Sequence, residues 1–267
     1  MSGNGRWSVA EAFSLEGKVA VVTGGAGLYG RQIVAALALA GARTHVTTRS
    51  RERLAEIERS FREIEGVDIT AHVLNQEDEA SILALRDAVL ERDGRVDVLV
   101  NNAVERTMRS WNDPLEAFEK SMKVNAAGLF AITRAFGDAM AAGGGGSIIM
   151  IGSIQGMIGP DAWLYEGMPF HGFIPDYFFH KGGMVNFTRF VAGYYGPRNV
   201  RCNCISPGGL ATEHTAPGFP ERYAERTMLG RMAGGTDLMG SIVFLASDAS
   251  AYVTGVNLPV DGGYTAK

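Results

Sequence analysis

The stretch KVAVVTGGAGLYG, residues 18–30, decides the fold. Lys18–Thr23 is an apolar run without alternation, as in a strand buried on both faces. Leu28–Ala40 is rich in alanine and leucine at helical spacing. Between them lies a turn of glycines. Glycines at a strand–helix junction let the chain turn tightly and bring backbone N–H groups against a pyrophosphate at a helix N-terminus. A further glycine lets helix and strand approach closely. Gly24, Gly27, Leu28 and Tyr29 are therefore expected at a dinucleotide.

Working outward, short apolar runs alternate with longer helical ones. Strands are expected at Arg43–Thr47, Asp68–Leu74, Val96–Asn101, Ser147–Ile151, Val200–Ile205 and near Val256–Val260. Helices are expected over Arg51 to about Glu65, Asp78–Arg92, Pro114–Ala142, Tyr177–Tyr195 and Asp237–Ala246. Non-alternating strands, each followed by a helix, predict an α/β fold: a single doubly wound Rossmann-type domain with a seven-stranded parallel sheet. Residues 1–14 are polar and glycine-bearing and are expected to be a flexible tail, with one domain over 15–267. No linker, charge block or internal repeat marks a second domain.

The 267 residues carry a net charge of −4 and are 46% hydrophobic, with a mean hydropathy of +0.02. No basic patch suits nucleic acid, and no apolar run is long enough to cross a bilayer. The N-terminus lacks the apolar core of a signal peptide. A cytoplasmic protein is expected, with no nucleic-acid or membrane partner. Cys202 and Cys204, two apart on a strand, share one face and read as small buried residues rather than a disulfide or metal pair. The five scattered histidines form no paired motif, and no metal site is expected.

The residues after the second strand bear on the choice of nicotinamide cofactor. An NAD site tends to place a carboxylate there for the ribose hydroxyls, which would repel a 2′-phosphate. Thr47-Thr48-Arg49-Ser50-Arg51 has no acid and two arginines. Arg49 can make charge-assisted hydrogen bonds to a 2′-phosphate, or stack on the adenine of either cofactor. NADP is the expected cofactor, with NAD the alternative.

The ordered motifs of the chain resemble those of the short-chain dehydrogenase/reductase family, compact branch, from Leu15 to about Tyr264. They are the Thr-Gly turn at 23–30, Asn101-Asn102-Ala103 after the fourth strand, and Asn125 in the next helix. Ser153 follows the fifth strand, then Tyr177-x-x-x-Lys181, then Pro207-Gly208 after the sixth. Phe244-Leu245-Ala246-Ser247-Asp248 and Val260-Asp261-Gly262-Gly263 complete the set. The departures are specific. Leu28 stands at the middle glycine of the turn, Val104 where a glycine usually follows Asn-Asn-Ala, and Asn75 where an aspartate commonly addresses the adenine. The resemblance implies a cofactor site at Gly24, Gly27, Leu28, Tyr29, Arg49, Asn75, Asn102, Ala103, Val104, Tyr177, Lys181, Pro207 and Gly208. Leu210 and Thr212 resemble positions that hold the nicotinamide carboxamide.

The resemblance also implies a catalytic tetrad of Asn125, Ser153, Tyr177 and Lys181. Tyr177 and Lys181 are four apart on a helix and share a face. A phenol ordinarily keeps its proton until about pH 10. A neighbouring ammonium favours the phenolate, so the hydroxyl can exchange a proton nearer neutrality. Ser153 would hold the substrate oxygen, Lys181 the nicotinamide ribose, and Asn125 a water leading to Lys181.

Tyr165 lies nearer Ser153, at the spacing usual in the family, but four residues beyond it stands Pro169 rather than lysine. Tyr177 has the lysine, so an aromatic insertion over 160–176 is inferred. This insertion and the cover expected over 209–229 are the candidate walls of a substrate pocket, with Gln155, Trp163, His171 and His214 as candidate contacts. Trp111, Phe219, Arg106, Arg109 and Glu166 are further candidates, a mixture suited to a sugar- or polyol-like small molecule. The expected reaction is hydride transfer between nicotinamide and a secondary alcohol or ketone. The glycine spacing also resembles nucleotide-sugar epimerases and dehydratases, which usually carry an added C-terminal domain. A non-catalytic NADP-binding scaffold would typically lose the tyrosine or lysine. An enoyl reductase would space that pair by seven residues. The family implies a homotetramer or dimer, with Leu129, Phe130, Phe187 and Phe190 as surplus apolar residues on the helices involved.

Overall fold

A computed structural model describes residues 8–168 and 172–267. Its elements run α1 Val9–Phe13, β1 Val19–Val22, α2 Leu28–Leu39, β2 Arg43–Thr48, α3 Leu54–Ile64, β3 Ile69–Val73, α4 Glu79–Asp93 and β4 Val98–Asn101. They continue as α5 Leu115–Met122, α6 Leu129–Ala142, β5 Gly146–Ile151, α7 Ala162–Tyr165, α8 Pro175–Tyr195, β6 Val200–Pro207, α9 Phe219–Arg226, α10 Met239–Ala246 and β7 Asn257–Val260. The expected sheet is present: seven parallel strands in the order β3-β2-β1-β4-β5-β6-β7.

Strand alternation sends neighbouring side chains to opposite layers. Ala20 and Val22 join Ile33, Leu37, Phe61, Ile242 and Leu245 on one face. Val19 and Val21 join Ile82, Val89, Phe136, Met184 and Val191 on the other. Cys202 and Cys204 lie together in this second layer as free, buried thiols. The order reverses between β1 and β4, and a crevice opens at the carboxyl ends of these strands.

The segment read as a tail is corrected from Ser8 onward. Ser8 and Glu11 form a reciprocal capping box over α1. Ala12 is buried, and Phe13 packs against Phe244 with ring centroids 6.2 Å apart. A short amphipathic turn with its own cap holds because it has a core to lie on.

The single helix expected over 114–142 is interrupted. A wide π-type turn over Lys123–Gly128 separates α5 from α6. Asn125 occupies this turn, and its amide bonds both the N–H and the carbonyl of Glu105, at 2.9 and 2.8 Å. Such bulges re-aim a side chain without ending the helix.

The described parts of the inserted segment and the cover pack together as one cap, and both contribute to the wall of a cavity. Leu164 packs with Phe219, Tyr223, Met232 and Ile154 in a third small core. Arg226 closes it with an ion pair to Asp161 at 2.6 Å.

Candidate active site

The glycine turn is held from both sides. The Thr23 hydroxyl accepts the N–H groups of Asn102 and Ala103, at 3.0 and 2.9 Å. The Asn102 amide donates to the carbonyls of Thr23 and Gly24. Gly24 has φ +63°, and a Cβ there would lie 2.9 Å from the Ala103 Cα. At Gly30 a Cβ would run into the Gly24 carbonyl. These two glycines are required by the turn. Leu28 needs no glycine, since its backbone φ lies outside the left-handed region. Its side chain is exposed at the mouth of the crevice.

The crevice is a cavity of about 620 Å³. Its walls include Gly24, Gly27, Leu28, Tyr29, Arg49, Asn75, Asn102, Ala103, Val104, Pro207 and Gly208, all expected from the sequence, and also Arg53, Gln76 and Glu105. The floor is Ile151–Ser153 with Tyr177 and Lys181. A cleft over the carboxyl ends of β2, β1, β4 and β5, with a glycine cradle on a helix N-terminus between its ends and arginines at the β2 end, fits a dinucleotide. Arg49 stands at that end, paired through Nη1 with Glu105 Oε2 at 2.5 Å.

A second cavity, also about 620 Å³, adjoins the first. Leu28, Tyr29, Arg106, Ser153, Tyr177 and Gly208 line both. The Tyr29 hydroxyl donates to the Gly208 carbonyl at 2.8 Å, tying the glycine turn to the end of β6. Gln155, Tyr165, Asp176, Leu210, Phe219 and Tyr223 belong to the second cavity's wall.

Of the four residues expected to act together, Ser153 and Tyr177 stand in the shared wall and Lys181 lines the first cavity. Lys181 is buried on α8, and its Nζ donates to the Ile151 carbonyl at 2.5 Å and lies 5.6 Å from the Tyr177 ring centre. Burial holds its ammonium below the ordinary lysine range, opposed by Tyr177. The Ser153 hydroxyl caps a short turn by accepting Gln155 N–H at 3.1 Å, so the capping and cavity-facing roles coincide. Asn125 is buried one layer behind, gripping Glu105. Tyr165 is held by the Gln155 amide at 3.3 Å, and burial raises its phenol. No lysine accompanies it.

Six expected placements need correction or lie out of view. Thr212 lines neither cavity, because its oxygen is used inside its own turn by Thr215 and the His214 N–H. The His214 side chain is 87% exposed beside Glu213. Trp163 faces outward from the cap, stacked under Arg226 at 4.3 Å and Arg222 at 5.8 Å. His171 lies outside the described residues. Leu210 reaches the second cavity but not the cofactor cleft. Leu129, read as surplus, is buried in its own core.

Three residues of this neighbourhood were not singled out by motif: Ser121, Asp176 and His180. Ser121 Oγ donates to Asp176 Oδ2 at 2.5 Å and accepts from Asn125 Nδ2 at 2.9 Å. The start of α8 is thereby tied to the π turn. His180 is buried against the Tyr177 ring, centroids 5.2 Å apart. Burial, then the charges of Lys181 and Arg106, push its imidazole down to about 3, so it is neutral. Asp176 and His180 are four apart and share a face of α8, a signal legible only once that helix is seen to line the two cavities.

A family profile described as enoyl-(acyl carrier protein) reductase matches residues 27–265. The galactitol 2-dehydrogenase (L-tagatose-forming) of Cereibacter sphaeroides is 34% identical, over 95% of this chain and 97% of that one. The D-threitol dehydrogenase of Mycolicibacterium smegmatis is 34% identical, over 97% of each. The crystal structure of a gluconate 5-dehydrogenase from Burkholderia cenocepacia, in complex with NADP and tartrate, superposes with a TM-score of 0.86. It is 30% identical and matched over 97% of this chain and 100% of that one. The chain belongs to the short-chain dehydrogenase/reductase family of NAD(P)-dependent oxidoreductases.

Proposed function

We propose that this enzyme interconverts a secondary alcohol and a ketone on a polyhydroxylated small molecule, with NADP(H) as the hydride partner. One observation carries the reading: Ser153 and Tyr177 stand in the wall shared by a dinucleotide-shaped cleft and a separate small cavity, with Lys181 on the cleft side. Polar groups converge on that cavity from Arg106, Gln155, Tyr165 and Asp176, which suits hydroxyl-rich ligands. The polyol and sugar-acid dehydrogenases among its relatives support the same class.

When bound, the nicotinamide supplies or accepts the hydride. The residues of the chain do the rest. Ser153 hydrogen-bonds the substrate oxygen and holds it against the Tyr177 hydroxyl. In reduction Tyr177 donates its proton to that oxygen, and in oxidation it takes the proton back. Lys181 places its ammonium 5.6 Å from the centre of the phenol ring, beside the group that exchanges the proton. Asn125 acts through Glu105 and Ser121, fixing the loop after β4 and the start of α8 against each other.

Arg49 and Arg53 at the far end of the cleft support NADP over NAD. An exposed apolar strip supports a homodimer or homotetramer: Phe190 is 63% exposed, stacked between Phe187 and Tyr194, with Phe130 and Phe179 also exposed. Two buried thiols in place of a disulfide accord with the reducing cytoplasm. No helix among the described residues is long and apolar enough to cross a membrane. The function is tested by following NADPH absorbance with a panel of alditols, aldonates, keto-sugars, acyl thioesters and steroids. Turnover confined to acyl thioesters or steroids would refute the polyhydroxylated class.

A further inference from the structure

Arg106 differs from most arginines of the chain. Arg31, Arg49, Arg95, Arg226 and Arg231 each face a carboxylate. The Arg106 guanidinium lies 5.0 Å over the Tyr177 ring, on an exposed residue that lines both cavities where they join. Among the described residues it has no ion pair and no hydrogen-bond acceptor. The adjacent carboxylate, Glu105, is committed to Arg49. The other charge beside the same ring is a second cation, Lys181, at 5.6 Å. His180, neutral and pushed down to about 3 by burial with Lys181 and Arg106 contributing, sits in the same positive field.

A guanidinium that no carboxylate of the described chain faces, with a second cation beside it, leaves this corner of the cavity positive and attracts an anion. Its planar fork matches a carboxylate in two parallel hydrogen bonds, a geometry that ammonium lacks. The opposite sign is also built into the cavity. Asp176 lines it, nearly fully buried, with Oδ2 bonded to Ser121 and Oδ1 without a hydrogen-bond partner among the described residues. A carboxylate there repels a second anion and accepts from a hydroxyl.

We infer that the substrate carries a carboxylate bound by Arg106, and that it is a polyhydroxy acid or the corresponding keto acid rather than a neutral polyol. The inference rests on the proposed alcohol–ketone chemistry and narrows its substrate class. The acid group lies at Arg106, the reacting carbon at Ser153 and Tyr177, and a hydroxyl faces Asp176. The reaction is an oxidation of one hydroxyl, with its proton taken by Tyr177 and its hydride by the nicotinamide, or the reverse.

Matched pairs test this, each differing only by carboxylate against CH₂OH: threonate and threitol, xylonate and xylitol, gluconate and glucitol. Turnover with NADP⁺ is measured for each, with binding to the NADPH-loaded protein followed by cofactor fluorescence. At least one acid should exceed its alditol in kcat/KM or affinity. Arg106→Met, which keeps the apolar stem, should lower the acid's value about 30- to 1000-fold. The acid's value should fall at least about tenfold further than the alditol's, and that ratio is the readout, because Arg106 also lines the cofactor cleft and touches the Tyr177 ring. Equal losses on acid and alditol would overturn the inference and make Arg106 an electrostatic neighbour of Tyr177 alone. A wild-type enzyme favouring no acid over its alditol in either measurement would also overturn it, while alditol turnover would leave the proposed function standing. Arg106-dependent acid binding without any turnover would support the inference and sink the chemistry.

Discussion

Arg49 and Glu105 meet across the mouth of the cofactor cleft, Nη1 to Oε2 at 2.5 Å, joining the loop after β2 to the loop after β4. The pair is at once a lip of the cleft and a competitor for the guanidinium that a 2′-phosphate would use. Glu105 is fixed through its backbone by Asn125, so its carboxylate is presented from a rigid base.

NADPH should therefore bind more tightly than NADH, and Arg49→Ala should erase most of the difference, about 10- to 100-fold for a lost charge-assisted contact. Glu105→Gln, by releasing Arg49, should widen the preference. Fluorescence titration of both cofactors against the three proteins checks this. Tighter binding of NADH by the wild type would contradict it.

The Ser121–Asp176 contact predicts a non-additive pair. Ser121→Ala leaves a buried carboxylate without its bonded partner and should cost about 1–3 kcal/mol in urea unfolding. Adding Asp176→Asn removes the charge and should restore part of that loss. If the double variant is less stable than Ser121→Ala, the contact does not carry the charge.

Histidines give the protein an acid-side weakness. Burial, with the charges of His45 and Arg92, pushes His72 down to about 4, and His180 is pushed to about 3. Both would titrate near 6.5 when unfolded. Between that value and their folded values the unfolded chain binds more protons, so stability rises with pH and is lost as pH falls below about 6.5. Urea midpoints of the cofactor-free protein should drop from pH 7.5 to 5, and His180→Asn should flatten the slope. A midpoint independent of pH over that range would show the histidines to be protonated in the folded state.

Association should run through the Phe187–Phe190–Tyr194 strip. Light scattering at micromolar concentration should give a dimer or tetramer, and Phe190→Asp should shift it toward monomer with the fold intact by circular dichroism. A monomeric wild type would refute the assignment.

The sheet, the glycine turn and the Tyr177–Lys181 pair were legible because each is a periodic or contiguous pattern. Non-alternating strands and a four-residue helical spacing survive any detail of packing. The interruption at Asn125 was not legible, because it depends on a bond to Glu105 twenty residues away in sequence. Trp163, Thr212 and His214 were misplaced for a related reason. In loops no period says which side chain turns inward, and local bonds and stacking partners decide it. No motif singles out Glu105 or Asp176, and only the fold puts one against Arg49 and the other against Ser121. The helix at Val9–Phe13 carried a readable cap, Ser8 with Glu11, but a five-residue turn has no reason to persist until Phe244 is found beside it.

The central claim is that Tyr177, not Tyr165, exchanges the proton. Both line the second cavity, and Tyr165 has the spacing from Ser153 that the family favours. Tyr177 has the lysine four residues on, with its Nζ 5.6 Å from the ring centre, where Tyr165 has Pro169 at that spacing. The most direct measurement is kcat for Tyr177→Phe and Tyr165→Phe on one good substrate, with cofactor affinity as the control for folding. Tyr177→Phe should lose at least about 10²–10⁴-fold in kcat with cofactor binding retained, while Tyr165→Phe stays active. An active Tyr177→Phe beside an inactive Tyr165→Phe would contradict the account and move the active site to the inserted segment.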